Sequence, residues 1–357
     1  MKRKLTALLI MLLMILSLMG CSVEFVIDDG GSVPVDGECL VHFIDIGQGD
    51  ATLIQINDVN TLIDTGTSSH YDELQAYLEK AGVEVIDNFI VTHPDADHMG
   101  GAYKVIRDYD VEGFYSTNTT SDSQAYEKMM AALRQHKLKK QVVAAGDTID
   151  FGEGAKANVI GPIGTCSDRN ESSVVIRLDY GKTSYLFTGD TTARMENKMN
   201  KKYDIDVDVL KVSHHGGDTA SGVKFVSDAS PDYAVISVGA DNNYGHPDRN
   251  VLRRLKEYTN EKILRTDKLG NIIIASDGEN LSVSSGKQID TINHTRNTSL
   301  KKNKTEAQGE IIGNKNSKVY HLDSESRLPA EDNREYFQSE KAAIKEGYRA
   351  CEKCFSE

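Results

Sequence analysis

The sequence predicts a layered α/β fold: two sheets packed face to face, with helices on the outside. Short β-branched runs recur along the chain and many end in His, Asp or Gly. Stretches with helical spacing alternate with these runs in the later part of each half. Each half opens with hairpin-like strand pairs before its strand–helix units begin, and that order suits stacked sheets covered by helices. With 357 residues the chain has room for one large domain, a small one and a substantial core.

The N-terminal stretch stands outside that fold. Met1-Lys2-Arg3-Lys4 is basic, Leu5 to Met19 is almost wholly apolar, and Leu18-Met19-Gly20-Cys21 places a small residue before cysteine. Residues 1–21 resemble a bacterial lipoprotein signal peptide, with Cys21 as the lipidated residue. The alternative is an uncleaved anchor helix, for which the apolar run is short. Either way the body is expected outside the cytoplasmic membrane, and a lipid on Cys21 would anchor it to the cell membrane. Residues 22–37, rich in Gly, Asp and Ser, read as a flexible tether.

Leu40–Ile46 is a strand, Gly47–Asp50 a tight turn, and Ala51–Ile56 a second strand. Asn57-Asp58 signals a hairpin into Thr61-Leu62-Ile63, which ends in Asp64-Thr65-Gly66. Tyr71 to Lys80 has helical spacing, with Leu74, Tyr77 and Leu78 on one face. Ser123–His136 is the clearest later helix, and Val142-Val143 and Ala157–Ile160 are short strands. Strands follow at 173–178, 184–188, 206–212, 233–238, 263–264 and 272–275, with helices near 192–200, 221–227 and 249–259. The main domain is expected over 38–284. Residues 285–309 are polar and aperiodic and read as a linker before a small unit at 310–357.

A net charge of −13 excludes a basic nucleic-acid-binding module, although bound divalent ions would offset the acidity locally. Lys104, Lys137, Lys139 and Lys140 read as solvated faces. Five scattered cysteines exclude a disulfide scaffold.

One stretch organises the chain. The apolar run Asn88–Val91 empties into Thr92-His93-Pro94-Asp95-Ala96-Asp97-His98, and Met99-Gly100-Gly101 then opens a helix. A strand delivering two imidazoles and two carboxylates to a helix start puts them at a sheet edge, where binding sites of layered α/β folds lie. Packed so closely, they require a cation among them. Further strand ends carry Asp64, Asp190, His214-His215 and His246. A single strand-end Asp is an ordinary cap or turn residue. Together these form one row of ligand-type side chains.

His93-Pro94-Asp95-Ala96-Asp97-His98 resembles the His-x-His-x-Asp-His loop of the metallo-β-lactamase superfamily, with aspartate for the second histidine. Adding His42–Asp50, Ser213-His214-His215-Gly216 and Gly245-His246-Pro247, residues 38–284 resemble the soluble hydrolase domain of ComEC-type competence proteins. That resemblance implies an αββα sandwich and two divalent metal ions. His93 and Asp95 would hold one ion, Asp97 and His98 the other. Asp190 would bridge them and His214 would complete the surrounding charge. The family's third histidine has no counterpart in Asp168–Ser173, so Asn170 or a water stands there. Carboxylate in place of imidazole makes Mn²⁺ a competitor of Zn²⁺. Two ions about 3.5–4 Å apart would share a hydroxide and clamp the attacking and leaving oxygens.

Asp97 and His246 are the candidate catalytic residues. His246 either donates a proton or hydrogen bond to substrate or is a structural turn histidine, and His215 stays open. His42 and His136 are read as non-catalytic. Asp45 and Asp50 flank the glycine turn and are expected to hydrogen-bond the metal histidines.

In the 310–357 unit, the stretch Ile311–His321 followed by Ala342–Cys354, which ends in Cys351-Glu352-Lys353-Cys354, resembles the metal-binding domain of the Ada-type repair regulator. That resemblance implies a structural zinc on Cys351, Cys354 and His321, with Glu325 where that family has cysteine. The alternative is a Cys351–Cys354 disulfide. The function expected is extracytoplasmic phosphodiester hydrolysis of DNA, or of another phosphodiester, by metal-bound hydroxide. The alternatives are hydrolysis of carboxylic esters, lactones or lactams, or a non-catalytic DNA-binding surface module. No protein partner is expected.

Overall fold

The computed structural model describes residues 38–259, 262–287, 311–322, 328–337, 343 and 346–351. The expected signal peptide with Cys21, the tether, most of the linker, Glu325 and Cys354 lie outside the described residues.

The first half forms β1 (Cys39–Phe43), β2 (Thr52–Ile56), β3 (Val59–Ile63), β4 (Val85–Val91), β5 (Asp110–Ser116) and β6 (Lys140–Val142). The second half forms β7 (Thr148–Ile149), β8 (Ala155–Gly161), β9 (Val175–Tyr180), β10 (Thr183–Phe187), β11 (Val209–Lys211), β12 (Tyr233–Ile236) and β13 (Ile263–Arg265). The chain then returns to the first sheet through β14 (Ile272–Ser276) and β15 (Leu281–Ser285). One sheet runs β15-β14-β1-β2-β3-β4-β5-β6 and the other β13-β12-β11-β10-β9-β8-β7. Each is antiparallel in one part and parallel in the other, the parallel pairs being β3 to β6 and β10 to β13.

Strand alternation explains the layers, because successive side chains point to opposite faces. Ile54, Ile63 and Ile90 join Val41 and Phe43 in a cluster with Ile176, Leu178, Tyr185, Phe187 and Val235 of the other sheet. Their chain neighbours Leu53, Leu62 and Phe89 pack instead with Leu74, Leu78, Val105, Ile106 and Leu133. Those last five lie on α1 (Tyr71–Lys80), α3 (Ala102–Asp108) and α4 (Gln124–Gln135); the one-turn α2 (Ala96–Met99) precedes α3. On the far side, α5 (Ala193–Lys202) and α6 (Val223–Ala229) cover Ile160, Leu186 and Leu210 with Met199 and Phe225. Val251 and Leu255 of α7 (Arg249–Tyr258) pack on Ala234 and Ile236. The short α8 (Thr266–Leu269) follows β13. The four layers are therefore helix, sheet, sheet, helix, as expected.

Caps set two of the helix starts: Ser123 accepts from Tyr126 N at the head of α4, and Asp248 accepts from Asn250 N at the head of α7. Such a cap stabilises a helix by about 1 kcal/mol.

The second unit is a sheet of β16 (Ile311–Asn314), β17 (Val319–Leu322), β18 (Arg334–Phe337) and β19 (Arg349–Ala350), in the order β18-β16-β17-β19. Ile311, Tyr320, Phe337, Ala343 and Tyr348 form its small core. Cys351 N donates to Tyr320 O at 2.9 Å, which brings Cys351 beside the strand that carries His321. Among the described residues no helix is long and apolar enough to cross a membrane.

Candidate metal centre

The ligand row forms because parallel strands end together. Ile63 and Ile90 are in register at the ends of β3 and β4, and Phe187 and Lys211 at the ends of β10 and β11. The chain then leaves each strand at one edge, carrying Asp64, His93, Asp190 and His214 into a common space. The two sheets are tied together there: Val174 N donates to Thr92 O at 3.0 Å, and Ser173 Oγ, which accepts from Asp190 N at 3.1 Å, lies 3.4 Å from His93 Nδ1. Asp190 follows Gly189, whose φ of 53° turns the chain at the strand end. Gly49 lets the Asp50 turn press against the metal loop; a Cβ there would collide with the Asp97 carbonyl oxygen, and Asp50 N donates to that oxygen at 3.0 Å.

Four buried residues converge. Asp50, His98, Asp190 and His215 each offer a ligand atom within 4.8 Å of the others. His98 Nε2 lies 3.2 Å from Asp190 Oδ1, and His215 Nε2 lies 3.6 Å from Asp190 Oδ2 and 3.4 Å from Asp97 Oδ2. His93 stacks obliquely on His98 with ring centroids 4.1 Å apart, and its Nε2 is 3.6 Å from Asp95 Oδ2. His214 Nε2 is 3.7 Å from Asp190 Oδ2.

The donor atoms fit divalent ions. His93 Nε2, His98 Nε2, His215 Nε2, Asp190 Oδ1 and Asp50 Oδ1 are all buried without a hydrogen-bond partner. The 3.2 Å approach of His98 to Asp190 lacks hydrogen-bond geometry. Such orphans are costly in an apolar interior, and a bound cation accounts for those of Asp50, His98, Asp190 and His215, the four residues that converge. Imidazole and carboxylate together suit Zn²⁺ or Mn²⁺.

The supporting bonds fix which ring nitrogen faces inward. His98 Nδ1 is 2.7 Å from Asp64 Oδ2, and Asp64 also accepts from Thr92 N and Oγ1 at 2.8 and 2.7 Å. Carboxylate–imidazole pairs of this kind hold the ring and raise its basicity. His215 Nδ1 donates to Ser237 O at 2.9 Å. Asp95 is bonded by Arg169.

Charge follows burial and neighbours. Burial works against protonated His98, but Asp190 and Asp64 outweigh it and raise its pKa well above the ordinary value. Burial likewise opposes charge on Asp190, yet His98 and His215 hold its carboxyl well below the usual range. Asp97 is lowered in the same way, burial being overcome by His215 and His98. His246 is lowered, by burial first and then by His214 and His215.

The candidates His93, Asp95, Asp97, His98, Asp190 and His214 are therefore gathered at one edge. His246 stands at their rim, its ring 5.6 Å from that of His214. Asn242 holds it from both sides, accepting from His246 N and donating to His246 O. Asp50 and His215 lie inside the cluster itself. His42 is buried in β1 with Nδ1 2.9 Å from Tyr77 OH, and His136 caps α4. Asp45 Oδ1 accepts from the Gly47 amide at 3.3 Å. Cys39 and Cys166 are free thiols.

Two supporting groups escaped the sequence reading. Lys211 is buried and its ammonium pairs with Asp50. A lysine inside the apolar run Val209–Val212 was the available signal, since a buried ammonium needs a carboxylate. Glu196 on α5 is also buried and accepts from Ser213 Oγ and Ser221 N at 2.8 Å and from Gly222 N at 3.2 Å. It thereby holds both ends of the loop bearing His214 and His215. An acid in a first helical turn looks ordinary in sequence.

A family model described as the metallo-beta-lactamase superfamily matches residues 44–240, and one described as the metal binding domain of Ada matches residues 295–357. The chain is 30% identical to ComE operon protein 3 of Bacillus subtilis over 272 residues, covering 71% of this chain and 34% of that protein. It is 32% identical to Recombination protein 2 of Haemophilus influenzae over 225 residues, covering 61% of this chain and 26% of that protein. The chain thus spans about a third or less of these relatives. Among solved structures, the metallo-beta-lactamase fold protein YhfI from Bacillus subtilis aligns with a TM-score of 0.44 at 11% identity, covering 64% of this chain and 96% of that one.

Proposed function

We propose that this chain, which belongs to the metallo-β-lactamase superfamily, hydrolyses phosphodiesters, with DNA as substrate, outside the cytoplasmic membrane. Membership of that family makes it a metal-dependent hydrolase. The observation that carries the reading is the convergence of buried Asp50, His98, Asp190 and His215, each with a ligand atom that has no hydrogen-bond partner. Two divalent ions among them would supply Lewis-acid polarisation and a nucleophile at neutral pH.

The chain's own residues do the rest. Asp64 fixes the His98 ring, the Ser237 carbonyl fixes His215, and Arg169 fixes Asp95. The sheet edge holds these groups in place before substrate arrives, which supports in-line displacement. His246, neutral near pH 7 because its pKa is lowered, is placed at the rim to donate an N–H to a substrate oxygen. The names of two relatives, Recombination protein 2 of Haemophilus influenzae and Competence protein ComA of Neisseria gonorrhoeae, favour DNA over small esters. Placement outside the membrane, with a lipid on Cys21, rests on the sequence of residues 1–21 alone.

The test sets bis(p-nitrophenyl) phosphate and linear DNA against a lactone and a β-lactam under the same metal load. Turnover of the two phosphodiesters, lost in Asp190→Asn with folding retained, is the expected result. Turnover of the lactone or lactam without either phosphodiester would overturn the substrate assignment.

A further inference from the structure

Strand alternation gives β18 two different faces. Glu335 and Phe337 serve their own unit: Phe337 packs on Tyr348, ring centroids 4.8 Å apart, and Glu335 accepts from the Tyr348 hydroxyl. Arg334 and Tyr336 lie on the opposite face of this edge strand, and both reach the main domain. The Arg334 guanidinium donates to Asp218 Oδ2 at 2.7 Å, and Tyr336 OH accepts from Asn250 Nδ2 at 2.9 Å. Arg253, one turn further along α7, stands 6.0 Å from the centre of the Tyr336 ring.

Arg334 is enclosed in this contact. Its side chain is 10% exposed, and its Nε donates to Pro329 O at 2.7 Å within its own unit. A guanidinium taken out of water needs a carboxylate, and its planar fork fixes the direction in which that partner is met. An exposed lysine in its place would carry little such constraint.

Both anchor points on the main domain flank the metal centre. Asp218 belongs to the loop that leaves His214 and His215, and the next residue, Thr219, places Oγ1 2.8 Å from His214 Nδ1. A Cβ on Gly217 would come within 2.8 Å of the His246 ring, so loop and ring are in close contact. Asn250 lies in the first turn of α7, soon after His246-Pro247, and Asp248 N at the cap donates to Gly216 O at 2.9 Å. The His214 loop and the head of α7 are thus joined. Glu196 holds that loop from inside, and β18 holds it from outside.

We propose that the C-terminal unit docks on the hydrolase domain through Arg334 and Tyr336 and braces the rim of the metal centre. Arg334 is then a positioning residue, acting through Asp218 on the loop that carries His214 and touches His246. The docking stands on these contacts alone; its effect on turnover rests on the hydrolase reading above.

Hydrogen exchange on the full chain tests the docking without any turnover. Asp218→Asn lies outside the small unit and cannot unfold it directly. It should speed amide exchange about tenfold both in its own loop, 217–222, and in 334–337 of the other unit. Tyr336→Phe removes one hydroxyl and should speed exchange at 250–253. Charge reversal tests the positioning role. Arg334→Glu and Asp218→Arg should each lower kcat on bis(p-nitrophenyl) phosphate about tenfold with KM unchanged, and the double variant should recover most of that loss.

An Asp218→Asn protein whose residues 334–337 exchange at the wild-type rate would overturn the docking. Exchange as expected, with kcat unchanged in both single reversals or no recovery in the double, would overturn the positioning role. A folded wild type with no turnover of any phosphodiester would overturn the substrate reading instead, and the exchange measurements would still decide the docking.

Discussion

Glu196 lies on α5, away from every ligand atom, yet removing it should be felt in stability and at the metal loop together. Its carboxylate accepts from the Ser213 hydroxyl and from the Ser221 and Gly222 amides, all buried. In Glu196→Ala the hydroxyl can turn elsewhere, but the two backbone N–H groups cannot. Each unsatisfied donor costs about 1–3 kcal/mol, so the domain should lose about 3 kcal/mol. For a domain of this size that is a fall in Tm of about 6–12 °C. Burial also pushes the Glu196 carboxyl up from 4.5 to about 7, against the three hydrogen bonds and Arg254 that favour its charge. A carboxyl with a raised folded pKa contributes stability that is fully present below pH 4.5 and is lost as pH rises through about 7. Relative to Glu196→Gln, which cannot ionise, the wild type should therefore lose about 3 kcal/mol between pH 4.5 and 8. Denaturant melts of the three proteins across that range read both effects. A loss under 0.5 kcal/mol in the alanine variant, or a wild-type-minus-glutamine difference that stays flat with pH, would refute the reasoning.

Lys211→Met leaves Asp50 buried without its ammonium and should destabilise by about 3–5 kcal/mol, most of it recovered by adding Asp50→Asn; thermal melts of the cycle measure this. Asp64→Asn keeps the shape but weakens the grip on His98 Nδ1, so metal affinity should fall about 10–100-fold in a competition titration while the fold survives. Chelation should unfold residues 310–357 without melting the main domain, because a unit that small has little core; unchanged amide exchange in the tail under chelator would sink that expectation.

The metal edge was legible because ligand-type residues follow apolar runs: Asn88–Val91 before His93, Leu186-Phe187 before Asp190, Val209-Leu210 before His214. Strand period and turn chemistry settle such features locally. Pairings between distant positions were not legible. Lys211 and its partner Asp50 are 161 positions apart. The closing hairpin β14–β15 returns to pair Cys39 with Ser276, which no local periodicity announces. Nor does a His-His doublet reveal its backbone. The left-handed turn at His214 and His215 comes from the packing around them, including the bonds of Glu196 to both ends of the loop.

The most direct measurement is turnover of linear DNA by the protein with Mn²⁺, with Zn²⁺ and with EDTA, alongside Asp97→Ala. The account predicts cleavage that depends on the ion, stops in EDTA and is lost in the folded variant. A folded, metal-loaded wild type that leaves DNA intact, or an Asp97→Ala that cuts as well as the wild type, would contradict it.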